Sequence, residues 1–382
     1  MKHISTFIFI IFSTCLINSQ AIYKTIDSKK LDAVRELKIQ LPRNYDPENK
    51  RTYPLVIVLD GDYLFEPVAG NIDYQAYWED IPDCIVVGVK QADFREDDFY
   101  YDEDNYLPIA EGANYYEFLA SELIPFIEEN YTASNFRIIA GHDLGANFIN
   151  YYLFKDKPIF RAFIALSPDL APKMADRIKE RLARIERETF YYMATADADI
   201  RFLRQSIIEC DAKLKVIENE KLQYKFDDFE DANHYSLVGR GIPKALNEIF
   251  ALYKPINGKE YTEKIIPFEG SPFNYLMKKY EDIEYFYGFE KQLIENDIRA
   301  IASASNKKND LESLENLAKL VKKEFPNSML SAYYMGMFHE KEGNYKRALL
   351  RYKAGLLLEP SQYIDKEIML DKMYEAQDAL KN

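Results

Sequence analysis

The chain has 382 residues, 47% of them hydrophobic, and a formal charge of −14. That length can bury a large core and suits two domains, and the hydrophobic share is ordinary for a globular protein. The acidic balance excludes nucleic acid as a partner, because binding phosphates needs a basic surface that releases counterions.

The N-terminus has its own pattern. Lys2 and His3 precede an apolar run from Phe7 to Ile17, and Ser19-Gln20-Ala21 supplies small residues where a signal peptidase reads. Residues 1–21 are expected to be a signal peptide and Ile22 the first residue of an exported protein, periplasmic or extracellular. Ser13-Thr14-Cys15 is a poor lipobox, and after the signal no stretch is apolar enough to span a bilayer. Cys84 and Cys210 both lie in apolar patterns, which favour burial over a bridge. No spacing of Cys and His resembles a zinc set, and no cofactor is expected.

From 32 to 254 strand and helix patterns alternate. Strands are predicted at 34–41, 53–59 and 84–89, a helix at 115–131, a strand at 136–140 and a helix at 146–154. Strands at 163–166, 189–194 and 224–229 then alternate with helices near 171–187, 200–218 and 243–253. This order predicts an α/β fold, a mostly parallel sheet with helices on both faces. The acidic run 93–98 lacks the ligand and glycine spacing of a calcium loop and is expected to be a solvated loop at a pocket rim.

Between the predicted strand at 136–140 and its helix lies Gly141-His142-Asp143-Leu144-Gly145. Glycines flanking a strand-to-helix turn permit the close packing and strained central residue of a nucleophile elbow. Here Asp143 stands where such a turn usually carries serine, and His142 is assigned to packing.

Four further segments accompany this turn: Tyr53-Pro54-Leu55-Val56-Ile57-Val58-Leu59-Asp60-Gly61, Val86-Val87-Gly88-Val89, Glu122-Leu123-Ile124-Pro125-Phe126-Ile127-Glu128 and Ala165-Leu166-Ser167-Pro168. With them, residues 32–254 resemble the putative esterase, or esterase D-like, family of α/β-hydrolases. The resemblance implies a nucleophile position at Asp143 and a base at His234. It implies an orienting acid at Asp197, preferred by its spacing from the strand, or at Asp199 as the alternative. Oxyanion groups are implied at the backbone N–H of Leu144 and of Asp62 or Tyr63, and a small ester-like ligand in the pocket.

Aspartate changes the chemistry. A carboxylate attacking an ester must form a mixed anhydride while expelling a more basic alkoxide, and its charge opposes the developing oxyanion. Aspartate does attack saturated carbon, and Gly-His-Asp-x-Gly looks like the elbow of haloalkane dehalogenases and epoxide hydrolases. Those families insert a cap domain after the sixth strand, where this chain has room for one helix.

Residues 255–273 are predicted to be a linker and 274–382 a helical module. Ala332, Gly336, His339, Gly343, Ala348, Tyr352, Gly355 and Pro360 fall at tetratricopeptide spacings, and Pro326 precedes Pro360 by one period. Modules of this kind bind a protein or peptide in a concave groove, or dock on a neighbouring domain. The leading expectation is an exported esterase-like protein without ordinary serine-esterase turnover, acting as a binding or scaffold protein. The alternative is a hydrolase of esters, epoxides or alkyl halides that uses Asp143 as nucleophile or base with His234.

Overall fold

A computed structural model of the chain describes residues 21–49 and 51–381; the expected signal segment, Ala21 apart, lies outside the described residues. Eight strands form one sheet: β1 (Ile22–Ser28), β2 (Ala33–Gln40), β3 (Tyr53–Val58), β4 (Ile85–Val89), β5 (Ala133–His142), β6 (Ala162–Leu166), β7 (Thr189–Ala198) and β8 (Leu222–Asn233). Their spatial order is β1-β2-β4-β3-β5-β6-β7-β8. β2 is antiparallel to β1 and β4, and the remaining pairs are parallel. This is an α/β-hydrolase fold, followed by helices.

β3, β4 and β6 are buried along their whole length. Helices cover both sheet faces, so no residue of these strands faces water, and the sequence shows continuous apolar runs instead of alternation. One face packs Tyr115, Phe148 and Ile207, the other Phe65, Ile242 and Tyr287. Cys84 and Cys210 are free and buried.

Three elements depart from the sequence reading. β1 is an edge strand with mostly exposed or half-buried residues, so it carries little apolar signal. The helix Phe65–Tyr77 is unpredicted because Gly70, Asn71 and Asp73 lower its propensity, yet Val68, Ala69 and Ile72 are buried against the sheet. The last helix of the α/β domain is Ser236–Ile249 and contains Pro243, where the prediction starts the helix.

The C-terminal helices are Pro272–Tyr287, Glu295–Lys307, Leu311–Glu324, Met329–Lys341, Tyr345–Gly355 and Lys366–Ala379. Small residues let them approach: a Cβ on Gly336 would lie 2.3 Å from the Tyr352 ring, and one on Gly355 would lie 2.7 Å from the Ala332 Cβ.

The first of these helices belongs to both units. Ile283, Tyr287 and Phe289 join the core under the sheet. The Tyr287 ring is 5.0 Å from that of Phe136, and its hydroxyl donates to the Ile249 carbonyl at 2.8 Å. Lys291 and Asp297, buried and 3.5 Å apart, brace the joint. Lys291 donates to the Tyr253 carbonyl at 2.6 Å, and Asp297 accepts from the Ile256 N–H at 2.7 Å and the Tyr280 hydroxyl at 2.9 Å. The stretch expected to be a linker is thus held by buried hydrogen bonds at its N-terminal end.

Candidate functional site

β5 ends at His142, the helix Leu144–Phe148 follows, and Asp143 alone makes the turn. Its backbone lies at φ 57° and ψ −121°, outside the usual regions for an L-residue. The flanking glycines make this geometry attainable. A Cβ on Gly141 would meet the Gly145 backbone at 2.5 Å, and one on Gly145 would press on Asp60 at 3.1 Å and Phe99 at 3.3 Å. The turn is an elbow with a carboxylate at its apex.

That carboxylate is paired. Arg95, in the short helix Arg95–Asp98, reaches Asp143 Oδ2 with Nη2 at 3.3 Å and holds Asp60 through Nε at 2.7 Å and Nη2 at 3.2 Å. Asp60 is 2% exposed and Arg95 side-chain exposure is 26%, so the guanidinium is anchored from behind while one edge faces the site. Burial raises the Asp60 pKa, and Arg95 opposes that rise. Burial also works against the charge on Arg95, but its bond to Asp60 outweighs this and raises its pKa. The run 93–98 is therefore not simply a solvated loop. Asp98 is buried against Arg35 at 2.6 Å, and burial pushes its pKa up to about 7. A single arginine within an acidic run was the available signal for Arg95.

His142 does more than pack. Its Nε2 lies 3.0 Å from the His234 carbonyl oxygen, which can only accept, so Nε2 carries a proton and Nδ1 is the acceptor of the neutral ring. The Tyr63 hydroxyl lies 3.2 Å from Nδ1 and donates its one proton to Asp60 Oδ2 at 3.1 Å. Burial, and then the nearby His234, lower the His142 pKa to about 4. The neutral ring thus ties the turn after β3 to the loop that carries His234.

His234 follows β8 and stands beside this pair, its ring centroid 4.4 Å from that of His142. Its Nδ1 lies 2.9 Å from Asp199 Oδ1. The other Asp199 oxygen accepts from Ser167 and Thr195, each at 2.7 Å, and the Ile200 N–H bonds Oδ1 at 2.8 Å. Burial would raise the Asp199 pKa, but the bonds from His234, Ser167 and Thr195 outweigh it and hold it at about 2. An anion at Nδ1 keeps that nitrogen protonated and leaves Nε2 as the basic atom. Asp197, the acid preferred from spacing, is turned to the surface, where it accepts from the Asp231 and Ala232 N–H groups at 3.1 and 3.3 Å. β7 runs to Ala198, four residues beyond its predicted end, and this places Asp199, the alternative acid, beside His234.

The implied oxyanion groups separate as well. The Tyr63 N–H bonds the Asp60 carbonyl at 3.1 Å and is occupied. Asp62 turns its carboxylate onto the Gln91 and Ala92 N–H groups at 2.6 and 2.9 Å. Leu144 opens its helix, where an N–H has no acceptor within the helix. Ser167, Thr195, Asp60 and Arg95 had no place in the sequence reading of the site. Nor did Asp169, whose N–H bonds the Asp143 carbonyl at 3.1 Å and whose pKa is raised by burial and by Asp143.

Residues 28–214 match the family model described as Putative esterase. The α/β domain belongs to this family. Three solved structures are similar to this chain. An uncharacterised protein from Capnocytophaga ochracea DSM 7271 has 29% identity and a TM-score of 0.81 over 94% of this chain and 100% of the other. An IroE-like serine hydrolase from Shewanella oneidensis has 20% identity and a TM-score of 0.62 over 80% and 99%. The BES protein from Bacillus cereus has 21% and 0.53 over 65% and 98%. No curated protein matches the sequence. The last two likenesses bear on the fold alone, and the first, over 94% of the chain, extends over the C-terminal helices.

Proposed function

We propose that this is an exported esterase-family protein that binds a small ester-like ligand and does not turn over esters through the ordinary serine route. The observation that carries the reading is the Asp143–Arg95–Asp60 chain at the elbow. A serine would offer a neutral hydroxyl to be deprotonated. Asp143 offers a carboxylate whose one cation partner is shared with Asp60, adjacent to the Leu144 N–H where an oxyanion would form. The C-terminal helices supply a second binding face, for a protein or peptide.

The test is turnover of short-chain aryl esters by the mature protein beside Asp143→Ser. The expected result is no turnover by the parent and measurable turnover by Asp143→Ser that is lost in Asp143→Ser/His234→Ala. Parental turnover abolished by Asp143→Ala would sink the binding reading.

The retained Asp199–His234 pair favours a second reading, a hydrolase in which Asp143 attacks saturated carbon. In that reaction the Asp143 oxygen forms an alkyl ester while halide or alkoxide leaves, and water activated by His234 Nε2 cleaves the ester. Mass spectrometry after incubation with an epoxide or alkyl halide would show an adduct on Asp143 if this reading holds. Under the binding reading the mass is unchanged.

A further inference from the structure

A cavity of about 330 Å³ opens at the ends where β3 and β4 begin, opposite the strand ends that carry Asp143 and His234. The end of the helix Phe65–Tyr77 forms one wall, the stretch after β2 a second, and Tyr253 with Gln292 from the joint to the C-terminal helices a third. Two charged groups in these walls lack close partners. Arg51 Nε is buried and donates to nothing, and Asp83 accepts no hydrogen bond among the described residues. Arg51 Nη2 stands 3.5 Å from Asp83 Oδ2, whereas a guanidinium and a carboxylate that bond directly approach to about 2.7–2.9 Å. Arg43 and Asp73, in the same pocket, do close on each other, through bonds at 2.8 and 2.6 Å. Burial raises the Asp83 pKa, as expected for a carboxylate short of donors.

The charges select the ligand. With Arg43 and Asp73 satisfying each other, Arg51 and Asp83 remain side by side, and Glu79 is exposed at the edge. An anion would meet two carboxylates here and a cation would meet Arg51. A neutral molecule that both donates and accepts satisfies the pair. Water has that property, but it does not account for the surface beside the pocket. Tyr74, Tyr77 and Trp78 are each more than half exposed, and Trp78 is the only tryptophan of the chain. Tyr74 and Tyr77 share a helix face. Tyr77 lines the pocket, and its ring centroid lies 5.0 Å from that of Trp78, edge to face. Aromatic rings clustered in solvent next to a polar pocket mark a binding surface.

We propose that this pocket binds one unit of an uncharged saccharide whose neighbouring units lie over Tyr77 and Trp78. Of two adjacent sugar hydroxyls, one donates to Asp83 and the other accepts from Arg51 Nε. The positively polarised C–H groups on the flat face of a sugar ring rest on the negative faces of the aromatic rings. The volume lies in the range that holds a small ligand. Because the site opens at the opposite end of the sheet from the elbow, it holds a glycan while the space around Asp143 stays free. The inference is independent of the state of Asp143.

The test uses the full mature chain and a panel of tetrasaccharides, the neutral ones built of glucose, xylose or mannose and a charged one of galacturonate. Tryptophan emission reports on Trp78 alone, and titration calorimetry gives the affinity. At least one neutral tetrasaccharide should shift the emission to the blue and saturate at about millimolar concentration or below. Asp83→Asn and, by calorimetry, Trp78→Ala should each weaken that binding about tenfold. Trp78 is exposed, so Trp78→Ala is expected to keep the parental urea midpoint. Asp143→Ala should bind as the parent does. No saturable binding of any neutral saccharide at about 10 mM would overturn the proposal, as would binding that survives both Asp83→Asn and Trp78→Ala. Galacturonate bound as tightly as the neutral sugars would overturn the uncharged class, and loss of binding in Asp143→Ala would move the saccharide to the elbow and overturn the site.

Discussion

Two corners of the site are built in opposite ways. At His234, the contacts form a geometric acid–histidine pair: Asp199 is held as an anion by four donors, and Nδ1 lies 2.9 Å from it. At Asp143, the backbone keeps the elbow conformation, but the side chain is bound to Arg95, which is itself fixed on Asp60. Backbone strain and acid–base geometry are separable properties. The first persists here because glycines at 141 and 145 require nothing of the apex side chain, while the chemistry depends on that side chain alone.

The largest test of this contrast removes the cation. Arg95→Ala leaves Asp60 buried and Asp143 half-buried without a counter-charge, and should lower stability by about 3 kcal/mol in urea denaturation. A loss below about 1 kcal/mol would mean that the elbow corner is not held by the ion pair.

The second test is pH. The His142 pKa falls from 6.5 to about 4 on folding. The unfolded chain therefore binds this proton more tightly, so the contribution is complete above about pH 6.5 and is lost as pH falls toward 4. Its size is on the order of 3 kcal/mol. His142→Asn should flatten the stability profile in that window. An unchanged slope would place the titration elsewhere.

Smaller effects sharpen the other corner. Thr195→Val removes one of the four donors to Asp199 and should cost about 1 kcal/mol. The acid of the pair is distinguished by NMR: a downfield His234 Nδ1–H resonance should persist in Asp197→Asn and vanish in Asp199→Asn. Asp197→Asn should also keep the parental urea midpoint, as surface substitutions do.

Much of this architecture was legible because strands buried on both faces leave unbroken apolar runs, and the Gly-x-x-x-Gly turn marks itself by steric need. Asp143, His234 and Leu144 could be located by chain order at strand ends. What stayed hidden depended on lengths and on contacts between distant segments. Choosing Asp199 over Asp197 required the true end of β7. Arg95 lies 48 residues from Asp143, within an acidic run whose composition suggests solvent. Ser167 was visible in the Ala165 to Pro168 segment, but its 2.7 Å bond to Asp199 belongs to the fold and not to any local pattern.

Tyr287 has a consequence for how the protein is made. It fills the core beneath the sheet, against Phe136, and is separated from that ring by most of the α/β domain and the stretch that follows it. A chain that emerges from its N-terminus cannot close this core when β8 appears. It must wait until the helix Pro272–Tyr287 has also emerged. The esterase-family domain therefore completes its folding late in synthesis, and a protein shortened at residue 254 would lack part of its own interior.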